Sequence, residues 1–156
     1  MATKSAVREQ TQEGGLYETD FEAWAFEQAR LLRQGRLAEI DARNLAEEVE
    51  DMGRSEARAL RSELSQLLAH LLKLRYSPQR DPRNHWADEL ALHRLNIQDL
   101  LAESPGLKAR LDPLFAAAWI RARVPALRAL ERDGVSQLPS DNPFTLDQAL
   151  DFDFLP

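Results

Sequence analysis

Residues 41–75 constrain the fold of this chain more than any other stretch. Apolar residues recur there three, four or eight positions apart, at Leu45, Val49, Met52, Leu60, Leu64, Leu67, Leu71 and Leu74. Because an α-helix has 3.6 residues per turn, this spacing places them all on one face. The phase continues through Gly53, so we predict one amphipathic helix of about 35 residues, roughly 50 Å long.

A first helix is predicted before this long one. Thr19 and Glu22 have the spacing of a capping box, and Gly35 is a typical residue just beyond a helix C-terminus. Since residues 34–40 form only a short connection, the first helix should lie antiparallel to the N-terminal half of the long helix. The C-terminal half, residues 60–74, therefore needs another partner.

That partner is predicted to be a helix over about residues 83–103. A fourth helix should begin at Ser104-Pro105 and bend or restart at Pro113 and Pro125, because each proline removes a helical hydrogen bond; Asp112-Pro113 could itself start a new helix. A second capping box, Thr145 with Gln148, predicts a short C-terminal helix. The fold class is all-α: a helical bundle of about four main helices organised on one long central helix, plus that short helix.

Length and composition suit one folded domain. The chain has 156 residues, 44% hydrophobic and 29% charged, which is ordinary for a globular protein. Residues 1–16 show no periodicity and include Gly14-Gly15, so we expect a flexible N-terminal tail. Residues 17–156 are then expected to form a single helical domain.

Several classes of function are disfavoured by what the sequence lacks. Without cysteine there are no disulfides, thiolate nucleophiles or cysteine-based zinc sites, and a cytoplasmic location fits that absence. No secretory signal or membrane-spanning apolar run is present, so no membrane association is expected. The net charge of −6 disfavours general nucleic-acid binding. Phosphate-loop, dinucleotide and serine-hydrolase motifs are missing, which argues against an enzyme and predicts no cofactor.

Several segments resemble one protein family. They are residues 17–21 with Trp24, the acidic block 44–56, residues 70–73, Trp86, Arg94, residues 104–107 and the ending 143–150 with Pro156. The family is the bacterial and cyanobacterial group catalogued as domain of unknown function twenty-nine. The resemblance covers about residues 17–156 and implies an all-helical bacterial protein, with no catalytic residues to carry over. The sequence departs from the family's pattern at His85 and His93.

Histidines and acids form one candidate metal site. His85, Glu89 and His93 follow one another at intervals of four, and antiparallel packing would bring His70 near Glu89. Histidine and carboxylate ligands together suit zinc or iron. The candidates are His70, Glu89 and His93. Neither HExxH nor the paired ExxH of di-iron bundles is present, and a histidine on an apolar stripe is also typical of a hydrogen-bonded core residue.

Residues 39–56 are strongly acidic, with seven acids against two bases. Carboxylates on one helix face could hold magnesium or manganese, and they also complement the positive end of a helix dipole. Glu48 and Glu56 are predicted near the inner face, where a carboxylate needs a partner. An arginine from another helix could form a buried polar pair with either of them.

A basic cluster surrounds the predicted turn after the long helix. It consists of Lys73, Arg75, Arg80 and Arg83, with Tyr76 and Trp86 nearby. Basic residues with aromatic neighbours can hold single-stranded nucleic acid or an acidic partner. They can equally solvate the surface and stabilise the helix C-terminus.

Three hypotheses of function follow from these patterns. The leading one is a non-enzymatic helical interaction or regulatory module that binds a protein partner or forms a homodimer, because the first helix cannot cover the long helix along its whole length. The alternative is a nucleic-acid-associated accessory protein that uses the basic cluster. The third is a metal-dependent activity at His70, Glu89 and His93.

Overall fold

A computed structural model describes residues 15–156, and the regular structure in that range is entirely helical. Two 3₁₀ turns, Leu37–Glu39 and Pro105–Arg110, connect the α-helices. The α-helices are α1 (Leu16–Thr19), α2 (Phe21–Arg33), α3 (Ala42–Tyr76), α4 (Arg83–Glu103), α5 (Leu111–Glu131) and α6 (Leu146–Leu150). The predicted all-α class is confirmed, with α2 to α5 as the four main helices, α3 as the long one and α6 as the short C-terminal one.

The described chain forms two compact units. The N-terminal unit ends at Asp51, and the C-terminal unit comprises Met52–Pro156. Helix α3 contributes residues to both units. The single domain expected over residues 17–156 stays a prediction. A tail was expected over residues 1–16, and positions 1–14 of it lie outside the described residues. Leu16 is already the first residue of α1.

Helix α2 begins one residue later than the sequence predicted. Thr19 is the last residue of α1, and its hydroxyl donates to the Gly15 carbonyl, so it cannot cap α2. Asp20 caps the helix instead, because its carboxylate accepts from the Ala23 amide at 3.0 Å. The predicted end is confirmed, since Gly35 has a φ of +68°, the left-handed conformation that favours glycine after a helix.

Helix α3 is continuous from Ala42 to Tyr76, as predicted. The Asp41 carboxylate accepts from the Asn44 amide at 3.3 Å, which confirms Asp41 as its N-cap. A side chain at Gly53 would meet nothing within 4 Å, so no close neighbour requires a glycine there. The first residue of α3 to be buried is Ala57, and Val49 on the predicted inner face is 60% exposed. The apolar stripe is therefore an inner face only in its C-terminal part.

The core of the C-terminal unit surrounds the leucines of α3. Leu60, Leu64 and Leu67 are completely buried, as are their neighbours Leu68, Leu71 and Leu72. They form one cluster with residues of α4, of α5 and of the C-terminal segment, which is residues 143–156. These residues are Leu90, Ile97, Phe115, Ala118, Trp119, Ala122, Ala126, Phe144 and Ala149. The expected partner of the second half of α3 is thus α4, joined by α5.

The predicted helix start at Ser104-Pro105 belongs to a 3₁₀ turn, and the fourth α-helix starts afresh close to Asp112-Pro113. Residues Pro105–Arg110 form a 3₁₀ turn, and the α-helix begins at Leu111. Pro113 then lies in the first turn of α5, where a proline costs no intrahelical hydrogen bond. Helix α5 continues through Pro125 to Glu131, and Gly134 follows it with a φ of +84°.

The C-terminal segment is attached to α4 by a buried arginine. Arg94 is only 2% exposed, and its guanidinium donates to the carbonyls of Ala149 at 2.9 Å and Phe154 at 3.0 Å. The predicted capping box of α6 is confirmed, because the side chains of Thr145 and Gln148 each accept from the other's backbone amide. Arg94 thus couples α4 to a segment that begins about 50 positions later in the chain.

Candidate metal centre

Helices α3 and α4 bring His70, Glu89 and His93 together inside the C-terminal unit. One ring nitrogen of each histidine and one carboxylate oxygen of Glu89 all lie within 4.8 Å of one another. His70 is buried, and the other two side chains are half-buried. These are the three residues that the sequence indicated. His85, one turn before Glu89 on α4, is exposed and lies outside this group.

The proton on the His70 ring is located by a backbone contact. Nδ1 lies 2.8 Å from the carbonyl oxygen of Gln66, one turn earlier in α3. A carbonyl can only accept, so Nδ1 donates and Nε2 keeps its lone pair. Burial lowers the pKa of His70 below its ordinary value of 6.5, and the neighbouring Lys73 and His93 lower it further, against the opposing effects of Gln66 and Glu89. His70 is therefore held neutral, the form that binds metal.

The Nδ1 atom of His93 also contacts an oxygen, here one of a carboxylate. Its Nδ1 lies 2.8 Å from an oxygen of Glu63 on α3, and the same oxygen accepts from the Asn96 side-chain amide at 3.2 Å. A carboxylate that accepts from Nδ1 orients the ring and leaves Nε2 available, which is the usual outer contact of a metal-binding histidine. Sequence analysis missed Glu63, although it stands two helical turns before His70 on the same side of α3.

The spacing of the three groups is close to that of a coordinated ion. Zinc binds histidine nitrogen and carboxylate oxygen at about 2.0–2.2 Å, so ligands around a tetrahedral ion lie roughly 3.4 Å apart. The separations in this cluster, at most 4.8 Å, require the ligand atoms to approach by up to about 1.4 Å. The two imidazole rings are already adjacent, with their centroids 5.3 Å apart. Side-chain rotation alone could supply that movement.

Lys73 lies close to the candidate metal centre and is not part of an exposed basic surface. It is half-buried one turn after His70, and burial lowers the pKa of its ammonium group while the charge of Glu89 opposes that shift. A bound divalent ion would compete with Lys73 for the negative charge of Glu89. Lys73 therefore links the candidate metal centre to the predicted basic cluster.

Most of the predicted basic cluster makes contacts within its own chain. The Arg83 guanidinium donates to the carbonyls of Leu74 at 2.5 Å and Pro156 at 3.0 Å. The Arg75 guanidinium lies 5.5 Å from the centre of the Phe144 ring. Arg80 is exposed. These contacts favour a structural role for Arg75 and Arg83.

Among residues 15–156, Glu48 and Glu56 each accept a hydrogen bond from a hydroxyl, and not from an arginine of another helix. The Tyr17 hydroxyl donates to Glu48 at 2.6 Å, and the Ser104 hydroxyl donates to Glu56 at 3.4 Å. Both carboxylates are half-buried, so each keeps contact with solvent and a neutral hydroxyl suffices as a partner. The hydrogen bond to Glu48 raises the pKa of Tyr17 to about 12, with smaller contributions from burial and from nearby acids.

Comparison with known proteins identifies a family for this chain. A family model described as domain of unknown function DUF29 matches residues 16–155. Comparisons with curated proteins and with solved structures gave no match. Among the helices of residues 15–156, none has the length and apolar character needed to cross a membrane.

Proposed function

The chain belongs to the DUF29 family, whose description assigns no activity, and from its own side chains we propose that it binds a divalent transition-metal ion. The observation that carries the proposal is the group formed by His70, Glu89 and His93, whose ligand atoms lie within 4.8 Å. Two histidines and one carboxylate form a ligand set that suits zinc or ferrous iron.

The outer contacts support the same proposal. Gln66 and Glu63 accept from Nδ1 of His70 and His93, so both rings offer Nε2. Burial keeps His70 neutral, and no proton has to be removed from it at neutral pH before a metal can bind. Three protein ligands leave at least one coordination position for water or a small molecule, an arrangement typical of reactive rather than purely structural sites. A cytoplasmic location in a bacterium remains part of this proposal.

Metal binding can be measured on the purified chain by isothermal titration with zinc and by metal analysis after dialysis. We expect one ion per chain. Glu63→Gln should weaken the affinity about 10- to 100-fold, the usual effect of losing an outer contact of a ligand histidine. Glu89→Gln and His93→Gln remove ligands and should weaken it more.

His85→Gln is the matched control for these variants, because it removes an exposed histidine of the same helix. Its affinity for zinc should equal that of the unmodified chain. The proposal is wrong if no stoichiometric ion binds, or if His85→Gln and His93→Gln lose the same affinity.

A pH titration tests the contribution of His70. Its lowered pKa means that the stability it contributes is fully present above pH 6.5, its ordinary value, and is lost as pH falls through the lower folded value. In metal-free protein, His70→Gln should reduce this acid dependence of the free energy of unfolding, measured in urea. Zinc should remain bound at a somewhat lower pH than an exposed histidine site allows.

A second function is favoured by the surface of the N-terminal unit. Four large apolar side chains there are at least half exposed: Phe26 at 68%, Leu37 at 64%, Val49 at 60% and Phe21 at 51%. Exposed apolar side chains of this size in a small unit favour association with another chain. We propose that a second copy of this chain covers it, which retains the homodimer expected from the sequence.

Sedimentation velocity tests the homodimer. A Phe26→Ser, Val49→Ser double variant should shift the chain toward the mass of a monomer. Ile120→Ser, which changes a residue of the C-terminal unit that is 72% exposed, should leave the mass unchanged. A strictly monomeric unmodified chain at high concentration would rule out this second function.

A further inference from the structure

Arginines of α3 surround a depression that none of the functions above uses. Arg54, Arg58 and Arg61 follow one another at intervals of four and three, so their side chains share one face of the helix. With Arg110 they line a depression of about 250 Å³, and Ala57 and Leu114 contribute apolar surface to it. All six residues belong to the C-terminal unit, and none is a ligand of the candidate metal centre.

Three of these arginines have no side-chain partner within residues 15–156. The guanidinium groups of Arg58, Arg61 and Arg110 make no hydrogen bond or ion pair there, whereas those of Arg83 and Arg94 are occupied by backbone carbonyls. The lining of the depression includes no acidic residue. In a chain with a net charge of −6, this is a local concentration of positive charge.

Arg61 provides a second and independent observation. Its Nε atom is buried and has no acceptor in the described part of the chain. A buried N–H without an acceptor is unfavourable, so such groups are rare in folded proteins. The Nε of Arg123 also lacks an acceptor, but that guanidinium lies 5.5 Å from the centre of the Trp119 ring and makes a cation–π contact there. Arg61 has no such aromatic contact among residues 15–156.

We propose that this depression binds the phosphoryl group of a small phosphorylated molecule or of free phosphate. The edge of a guanidinium formed by Nε and one terminal nitrogen matches two phosphate oxygens, and such a contact would give Arg61 Nε the acceptor it lacks. Arg58 and Arg110 add charge that a dianion balances better than a singly charged carboxylate does. Ala57 and Leu114 exclude water from one side of the site and strengthen these contacts.

Nuclear magnetic resonance observes this site directly through the Nε–H signals of the arginines. We expect inorganic phosphate to shift the Arg61 signal saturably, with chloride at equal ionic strength giving no saturable shift. Adenosine monophosphate is the second probe. Tighter binding of inorganic phosphate would indicate free phosphate as the ligand, and tighter binding of the monoester would indicate a phosphorylated molecule.

Variants locate the binding. Arg61→Gln should raise the dissociation constant about tenfold or more, the usual effect of losing a charge-assisted contact. Arg110→Gln should also weaken binding, and because Arg110 is exposed this variant is expected to fold normally. Arg128→Gln, which removes an exposed arginine of α5, is the matched control and should bind phosphate as the unmodified chain does. A linear, unsaturable response to both probes, or an equal loss in Arg128→Gln, would overturn the proposal.

Discussion

The N-terminal unit buries only Trp24, Gln28 and Leu31 among its described residues, whereas the C-terminal unit encloses a continuous apolar cluster from α3, α4, α5 and the C-terminal segment. Both units take residues from α3, and both parts of that helix carry apolar residues in the same phase. The difference therefore lies in the partners of the helix and not in its own pattern. Periodicity identifies an apolar face, and only a partner that covers the face makes it a core.

The N-terminal unit replaces apolar packing with polar and aromatic contacts around Asp41. The Trp24 indole donates to the Asp41 carboxylate at 3.2 Å, and the Gln28 side chain accepts from the Asp41 amide at 2.7 Å. The ring of Tyr17 meets Trp24 edge-on with 4.8 Å between centroids, and its hydroxyl reaches Glu48. A unit of this kind should respond to pH and to single polar substitutions, while the C-terminal unit should respond to lost volume.

The largest effect should come from a cavity in the C-terminal unit. Leu67→Ala removes a side chain with no exposed surface and should lower the free energy of unfolding by about 2–5 kcal/mol. Val49→Ala, on the exposed part of α3, should change it by less than about 0.5 kcal/mol at concentrations low enough to keep the chain monomeric. Denaturant titration followed by circular dichroism measures both. Equal effects would mean that the two parts of α3 do not differ as described.

A smaller loss is expected when the buried arginine is replaced. Arg94→Ala removes the donors for the Ala149 and Phe154 carbonyls and should cost about 1–3 kcal/mol, because the Ala149 carbonyl is left buried without a donor while the Phe154 carbonyl is only partly buried. Hydrogen exchange should locate the effect in α6 and the residues after it. Arg94→Lys keeps the charge but cannot reach both carbonyls with one planar group, so it should rescue the stability only in part. Full rescue would show that the charge alone matters.

In the N-terminal unit, Asp41→Ala should loosen the start of α3 and the position of Trp24. The substitution removes the acceptor of both the Asn44 amide and the Trp24 indole. Hydrogen exchange in the first turn of α3 should become severalfold faster, and the fluorescence of Trp24 should shift. Asp41→Asn keeps a capping side chain and should restore most of the protection. No change in either variant would contradict the role of Asp41.

The smallest effect is the ionisation of Tyr17. Its hydroxyl should ionise with a pKa of about 12, measured by ultraviolet absorbance and assigned by comparison with Tyr17→Phe. Glu48→Gln removes the negatively charged acceptor, which is the main cause of the raised value, and should return the pKa toward 10. Because the folded pKa lies above the unfolded one, the contact stabilises fully below pH 10 and is lost as pH rises through about 12. An unchanged pKa in Glu48→Gln would exclude this contact.

Much of this architecture could be predicted from local pattern. The bounds of α3, the cap at Asp41, the glycine after α2 and the capping box of α6 each depend on residues within a few positions of one another. The neighbourhood of His70 and Glu89 followed from one further assumption, the antiparallel packing of α3 and α4. Thr19 and Asp20 are adjacent, and either residue type can cap a helix. The sequence pattern could not distinguish them, because Thr19 is the last residue of α1 and only Asp20 is left to cap α2.

By itself, the sequence determined the helices, the apolar face of α3 and the histidines and acids from which a metal centre could be built. Tertiary structure alone decided which half of that face is buried, that Glu63 accepts from His93, that Arg94 is enclosed by the C-terminal segment and that Arg61 has an unpaired nitrogen. Periodicity and capping act over one or two helical turns, whereas these contacts depend on the ångström-scale distance between helices remote in sequence.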